Sequence, residues 1–187
     1  DYCVMEASSQ ALDPYRIGDE RIAVAGFTNL TRDHLDYHGT MENYFQAKRR
    51  VFTMCKTAVI NIDDEYGKRL AQEFSDIAVT YSAEGNADYH AEFIRMNATG
   101  CSYMLVNERE KTACRVDMNM TGLYNVQNSL CAIAMVTALG FDMTECAKAL
   151  SDLDGVDGRM NVVYRGDFTV ITDYAHTDDA LIKVLST

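Results

Sequence analysis

"TAVINIDDEYGKRLAQEFSDIAVTY", residues 57–81, sets two short apolar runs either side of a polar stretch with helical spacing. TAVINI (57–62) and DIAVTY (76–81) are partly β-branched and bounded by polar turns, the mark of strands. Residues 65–74 between them space as a helix. Strand–helix–strand alternation predicts a mainly parallel sheet with helices on its faces.

Working outward, RIAVAGF (21–27) reads as a further strand, joined to the first through a helix over 41–52. Downstream, residues 87–120 alternate apolar and polar, with turn signals at NATG and NEREK. That stretch predicts a small antiparallel sheet appended to the main one. A helix follows over 126–139, with Asn125 as its N-cap and Gly140 as its stop, and another over 144–153. DGVDGRMNVV carries the glycines of a linker. FTVITDYAH (168–176) reads as a new buried strand, and Thr177 or Asp178 can cap the helix after it. The expected organisation is one α/β domain over 1–157 and the opening of a second α/β domain over 158–187. DYCVMEASS at the start looks like the interior of a strand and DDALIKVLST at the end like a helix cut short, so an excised fragment is expected.

The formal net charge is −11, which argues against a protein that grips a phosphate backbone. No apolar run approaches the ~20 residues of a membrane span, and no signal peptide opens the chain. The six cysteines form no CxxC pair and sit mostly among apolar residues. Buried thiols in a reducing cytosol fit that pattern better than disulfides or a zinc site.

The helix over 41–52 contains one misplaced charge. At about 100° per residue, Met41, Tyr44, Phe45, Val51 and Phe52 share a face, and Lys48 falls in its middle. Two readings stand. The stem can snorkel across apolar neighbours to bring the ammonium to water. Alternatively, an apolar setting lowers the amine's pKa and leaves it free to capture CO₂ as a carbamate, an anion able to bind Mg²⁺. Glu6, beside an apolar run at what would be a strand end, is either a solvated carboxylate or a Mg²⁺ ligand. His34 is either structural or a ligand; paired with His38 it fails the zinc-protease pattern, because Leu35 stands where Glu is required. Around Gly67–Lys68 a phosphate loop would need Gly at Ile62 and Ser or Thr at Arg69, and neither is present. No G-x-G-x-x-G or G-x-S-x-G occurs. Asn128 offers a second amide one turn after Asn125, suited to reading a base edge.

Taken together, VMEASSQAL, FTNLTRDHLDYHGTMENYFQAK, NIDDEYG, GLYNVQNSLCAIA, DGRMNVV and DYAHTDDAL stand in the order found in the Mur ligases. The long second stretch resembles the MurE-type branch, which adds the third residue of the peptidoglycan stem peptide. The resemblance implies a P-loop-type ATPase domain followed by the first strand and helix of a Rossmann-like domain. It further implies a bacterial, cytoplasmic, ATP- and Mg²⁺-dependent amide ligase. Such a ligase acts on UDP-N-acetylmuramoyl-L-Ala-D-Glu and an amino acid, diaminopimelate or lysine, through an acyl phosphate. Carried over by position, Lys48 matches the carbamylated lysine, and Glu6 and His34 match magnesium ligands. Ser8 and Arg16 match substrate contacts, Asn125 and Asn128 the adenine pair, Arg159 a phosphate contact and Asp173 a ribose contact. Gln10, Pro14 and Asp178 depart from the pattern. The phosphate loop, which precedes MEASS in the family, is not in the chain, so the segment alone is expected to be inactive. A folylpolyglutamate-synthase-like ligase and a non-catalytic scaffold are the alternatives.

Overall fold

The run at 57–62 becomes a strand, Cys55–Asn61, in which Ala58, Val59 and Ile60 are wholly excluded from solvent. The computed structural model describes residues 1–12, 22–97 and 99–185. In chain order its elements are α1 (Ser9–Leu12), β1 (Ile22–Phe27), α2 (Leu35–His38) and α3 (Met41–Arg49), the last running into a 3₁₀ turn at Arg50–Thr53. Next come β2 (Cys55–Asn61), α4 (Glu65–Glu73), β3 (Ala78–Ser82), β4 (Tyr89–Asn97), β5 (Gly100–Asn107) and β6 (Thr112–Met118). The chain then forms α5 (Leu123–Thr137), α6 (Met143–Ser151), β7 (Asn161–Arg165), β8 (Thr169–Thr172) and α7 (Asp178–Leu185).

Strands β1 to β6 form one sheet in sequential order. β1–β2, β2–β3 and β3–β4 pair in parallel, while β4–β5 and β5–β6 are antiparallel. The antiparallel unit expected from the alternation over 87–120 therefore grows directly from the edge of β3. Its junction is short: only Tyr81↔Tyr89 and Ser82↔His90 pair, so β4 runs on beyond the end of β3. Asp88 secures the junction by accepting from the Thr80 amide at 2.8 Å and the Thr80 hydroxyl at 2.9 Å.

Alternation along β2 divides the core. Val59, with Tyr81, Tyr103 and Leu105, packs against Val126, Leu130 and Ile133 of α5. Ala58 and Ile60, with Phe27, pack on the other face against Phe45, Phe52 and Leu70. Each fully buried aliphatic side chain contributes roughly 1.5–3 kcal/mol. Helix α4 rides close on β2 because Gly67 has no side chain: a Cβ there would lie 1.8 Å from the Asn61 carbonyl oxygen. Asp64 starts that helix by accepting from the amides of Tyr66 and Gly67.

Three expectations are corrected. Residues 1–8 form no strand, and Tyr2 and Val4 are 67% and 95% exposed. β1 pairs only with β2 among the described strands, so residues 1–8 have no strand beside them and their exposed backbone groups face water. Glu6 therefore sits on an exposed, irregular segment. Helix α5 begins three residues before Val126, with Gly122 as its N-cap at φ 101°, which places Asn125 inside the first turn. Gly140, at φ 94°, lies just beyond its end as expected. The FTVIT strand is not buried. It forms β8, an exposed ribbon with β7, which itself occupies part of the expected linker. Arg16 and Pro14 lie outside the described residues. Of the cysteines, Cys101 and Cys131 are buried, Cys3 is exposed and the other three are half-buried, all as free thiols. No helix among the described residues is long and apolar enough to cross a membrane.

Candidate functional site

In open α/β sheets the ligand crevice lies outside the carboxyl ends of the parallel strands, among the loops that follow them. Here an open cleft of about 530 Å³ occupies that position. Its walls come from Asn29 after β1, Asn61, Asp63 and Asp64 at the end of β2, and Asn97 at the far end of β4. They continue through Tyr124 and Gln127 at the start of α5, with Lys183 of α7 at the rim.

Lys48 stands beside this cleft on α3. Its helix starts where Thr40 accepts from the Asn43 amide at 3.1 Å, and its apolar face packs as the spacing predicts. Tyr44, Phe45, Val51 and Phe52 are buried. Arg49 pairs with Glu73 and Arg50 donates to the Leu12 carbonyl at 2.8 Å, so both leave that face. Lys48 stays on it, half-buried. Its Nζ lies 5.4 Å from the centre of the Tyr44 ring and 6.0 Å from that of Phe27, and donates to the Asn29 carbonyl at 3.3 Å. Burial lowers the pKa of the amine, while Asp64, Glu6 and Asp33 oppose that effect with their negative charge. The protonated form is thus costly to hold here, yet several carboxylates are within electrostatic reach.

His34 and Glu6 reach the same neighbourhood by different routes. His34 adopts the left-handed backbone conformation at φ 52°, and its ring meets Tyr44 edge-on with centroids 5.9 Å apart. It also lies 3.6 Å from the Asp33 carboxylate. Tyr44 is thus the common neighbour of His34 and Lys48, and Glu6 is close enough for its charge to act on Lys48. Among the described residues, no three His, Cys, Asp or Glu side chains gather closely enough to hold a metal.

The remaining expected residues have more local roles. Ser8 starts α1 by accepting from the Ala11 amide at 3.2 Å. Asn125 is buried and donates to the Thr121 carbonyl at 2.7 Å, whereas Asn128 is exposed. Asp173 accepts from the Met160 amide at 2.8 Å and the Ala175 amide at 2.7 Å, pinning the strand end to the preceding turn. The phenol of Tyr124 has a raised pKa, mainly through burial and secondarily through the Asp173 charge, so Asp173 stands near the start of α5. Arg159 lies over the Tyr174 ring at 5.0 Å. Among the described residues, none of the expected ones lines the cleft itself; Tyr124 and Gln127, the sequence neighbours of Asn125 and Asn128, do.

Sequence reasoning passed over three polar residues at the end of β2. Asn61 is buried; it donates to the Thr28 carbonyl at 2.7 Å and accepts from the Asp63 amide at 3.0 Å. Asp64 accepts from the Leu30 amide at 3.0 Å, and Asp63 accepts from Gln127 of α5 at 2.9 Å. The available signal was position: N-I-D-D directly follows a buried strand, where ligand crevices form.

The family model for the Mur ligase middle domain matches residues 1–136. The chain is 39% identical to the UDP-N-acetylmuramoyl-L-alanyl-D-glutamate–2,6-diaminopimelate ligase of Clostridium botulinum, over all of this chain and 39% of that protein. It is 41% identical to the enzyme of the same name from Fusobacterium nucleatum, over 99% of this chain and 38% of the relative. A solved structure bearing that ligase's name superposes with a TM-score of 0.81 at 35% identity, covering 97% of this chain and 38% of the other. The chain thus spans about two fifths of the length of these relatives.

Proposed function

The chain belongs to the Mur ligase family through its middle domain, and from that premise we propose that it is the nucleotide-handling part of an ATP-dependent amide ligase. The reaction joins diaminopimelate to the D-glutamyl carboxylate of UDP-N-acetylmuramoyl-L-alanyl-D-glutamate. The choice of diaminopimelate rests on the names of the relatives. Residues 1–157 form the central domain in this reading, and 158–187 open the amino-acid-binding domain. The enzyme would work in the bacterial cytoplasm.

The chemistry is activation. A carboxylate is a poor electrophile, so ATP transfers its γ-phosphoryl group to a carboxylate oxygen and leaves as ADP. The incoming amine attacks the acyl carbon, phosphate departs with the C–O electron pair, and an amide forms. Glu6 and His34 would supply two donors for Mg²⁺, and a carbamate oxygen on Lys48 would supply a third. Magnesium accepts so short a protein set because it retains waters or phosphate oxygens. When bound, the ion neutralises charge on the phosphates. Ser8 and Arg16 would hold the uridine-linked peptide, Asn125 and Asn128 the adenine, Arg159 a phosphate and Asp173 the ribose. Asn125 would have to share its amide with Thr121, so exposed Asn128 would carry more of the adenine contact.

One observation carries the reading: an amine half-buried against Phe27 and Tyr44, its pKa pushed down, beside a cleft at the ends of parallel strands. In the full-length protein, Lys48→Met is expected to lower ADP release dependent on both substrates by at least about a hundredfold, as loss of a key electrostatic group does, with little change in melting temperature. ¹³C-bicarbonate should give a carbamate signal in the wild type that is missing from the variant. A fully active Lys48→Met protein would overturn the role of the lysine, and a wild type without ADP release would overturn the ligase.

A further inference from the structure

Asp63 and Asp64 are consecutive residues whose carboxylates bind different parts of the cleft wall. Asp63 accepts from the hydroxyl of Ser82 through one oxygen. Through the other it accepts from the Ala83 amide at 2.9 Å and from Gln127 Nε2 at 2.9 Å. It therefore ties the end of β2 to the end of β3 and to the second turn of α5. Asp64 accepts from the Leu30 amide at 3.0 Å through one oxygen, while its other oxygen caps α4. Leu30 follows Asn29, whose carbonyl receives the Lys48 ammonium at 3.3 Å. A chain of charge-assisted hydrogen bonds thus runs from α5, across the end of β2, to the loop that holds Lys48.

Both carboxylates line the cleft, yet all four oxygens already accept from the protein's own groups. A free carboxylate would repel a polyphosphate. These are committed to holding the walls, and their negative charge is offset by six donors, from Ser82, Ala83, Gln127, Leu30, Tyr66 and Gly67. Gly67 makes the arrangement possible, because any side chain there would push α4, and the cap at Asp64, away from the strand end.

We infer that Asp63 is a positioning residue which, through Gln127, fixes the start of α5 relative to the Lys48 wall and so sets nucleotide affinity. The inference rests on the ligase reading above. Asp63→Leu removes every acceptor at this position, and with them the link to Gln127. Gln127→Leu removes the same link from the helix side.

The test uses full-length protein with ATP as the varied substrate. Each single variant should raise the KM for ATP roughly tenfold, the size of one lost hydrogen bond to a charged group, with kcat within about twofold of wild type. The double variant should be no worse than the more affected single variant, because both remove one link. A merely structural aspartate would lower the melting temperature and leave KM unchanged, which would overturn the inference. Multiplying effects in the double variant would also overturn it. If Asp63→Leu does not fold, Gln127→Leu decides alone: an unchanged KM sinks the proposal. Absence of ATP use by the wild type is a different result and strikes the ligase reading instead.

Discussion

Strands β2 and β8 are written in nearly the same alphabet, TAVIN and FTVIT, and end in opposite surroundings. Ala58, Val59 and Ile60 of β2 have no solvent exposure, whereas Val170 and Ile171 of β8 are 38% and 43% exposed, and Phe168 beside it is 64% exposed. The difference lies in what covers them. β2 has a strand on either side and helices on both faces, while β8 has β7 as its only partner among the described strands. Apolar, β-branched residues specify an extended chain; burial is conferred by neighbours distant in sequence.

The comparison is broken or sharpened most directly by truncating matched side chains. Leu130, fully buried in α5 against the sheet, should cost about 3 kcal/mol as Leu130→Ala, within the range of about 2–5 kcal/mol for such cavities. In the 187-residue chain, Ile171→Ala should cost no more than about 0.5 kcal/mol, as at a surface position. Urea denaturation of both variants checks this. Equal losses would mean that the ribbon folds as part of the core.

A smaller effect probes how the edge of the covered region is tied down. Asp64→Ala removes the α4 cap and the acceptor for the Leu30 amide, and should lose about 1–2 kcal/mol by the same denaturation. If the loss is no larger than that at Ile171, the strand-end hydrogen bonds contribute little to the difference between the regions.

The smallest effect is at the surface of the covered side, where Glu42 of α3 meets Arg69 of α4 at 2.9 Å. Hydrogen bonds from Arg69 and then Gln46 lower the Glu42 pKa from its ordinary 4.5 to about 2. A carboxylate favoured in the folded state stabilises above its unfolded pKa, and that benefit fades as pH falls toward the folded value. Glu42→Gln should therefore melt slightly below wild type at pH 7, and the gap should close between about pH 4.5 and 2. A gap that is constant across that range would assign the effect to packing of Arg69 on Phe45, 4.2 Å from its ring, instead of to charge.

What the sequence determined by itself was local and periodic. The apolar runs named β1, β2 and β3, the helical spacing named α3 and α4, and the alternation after residue 87 named the antiparallel strands. The odd charge at Lys48 was visible too, because one helical turn is enough to show a cation on an apolar face. Tertiary structure alone decided that residues 1–8 go unpaired and that FTVIT lies exposed. It also set the start of α5 at Gly122 and filled the cleft wall with Asp63, Asp64 and Gln127. The physical reason is common to all of these. Backbone preference and hydrophobic period are properties of a few adjacent residues. Burial, hydrogen-bond satisfaction and the pKa of an amine depend on groups brought together across tens of residues, as Asp63 and Gln127 are across 64.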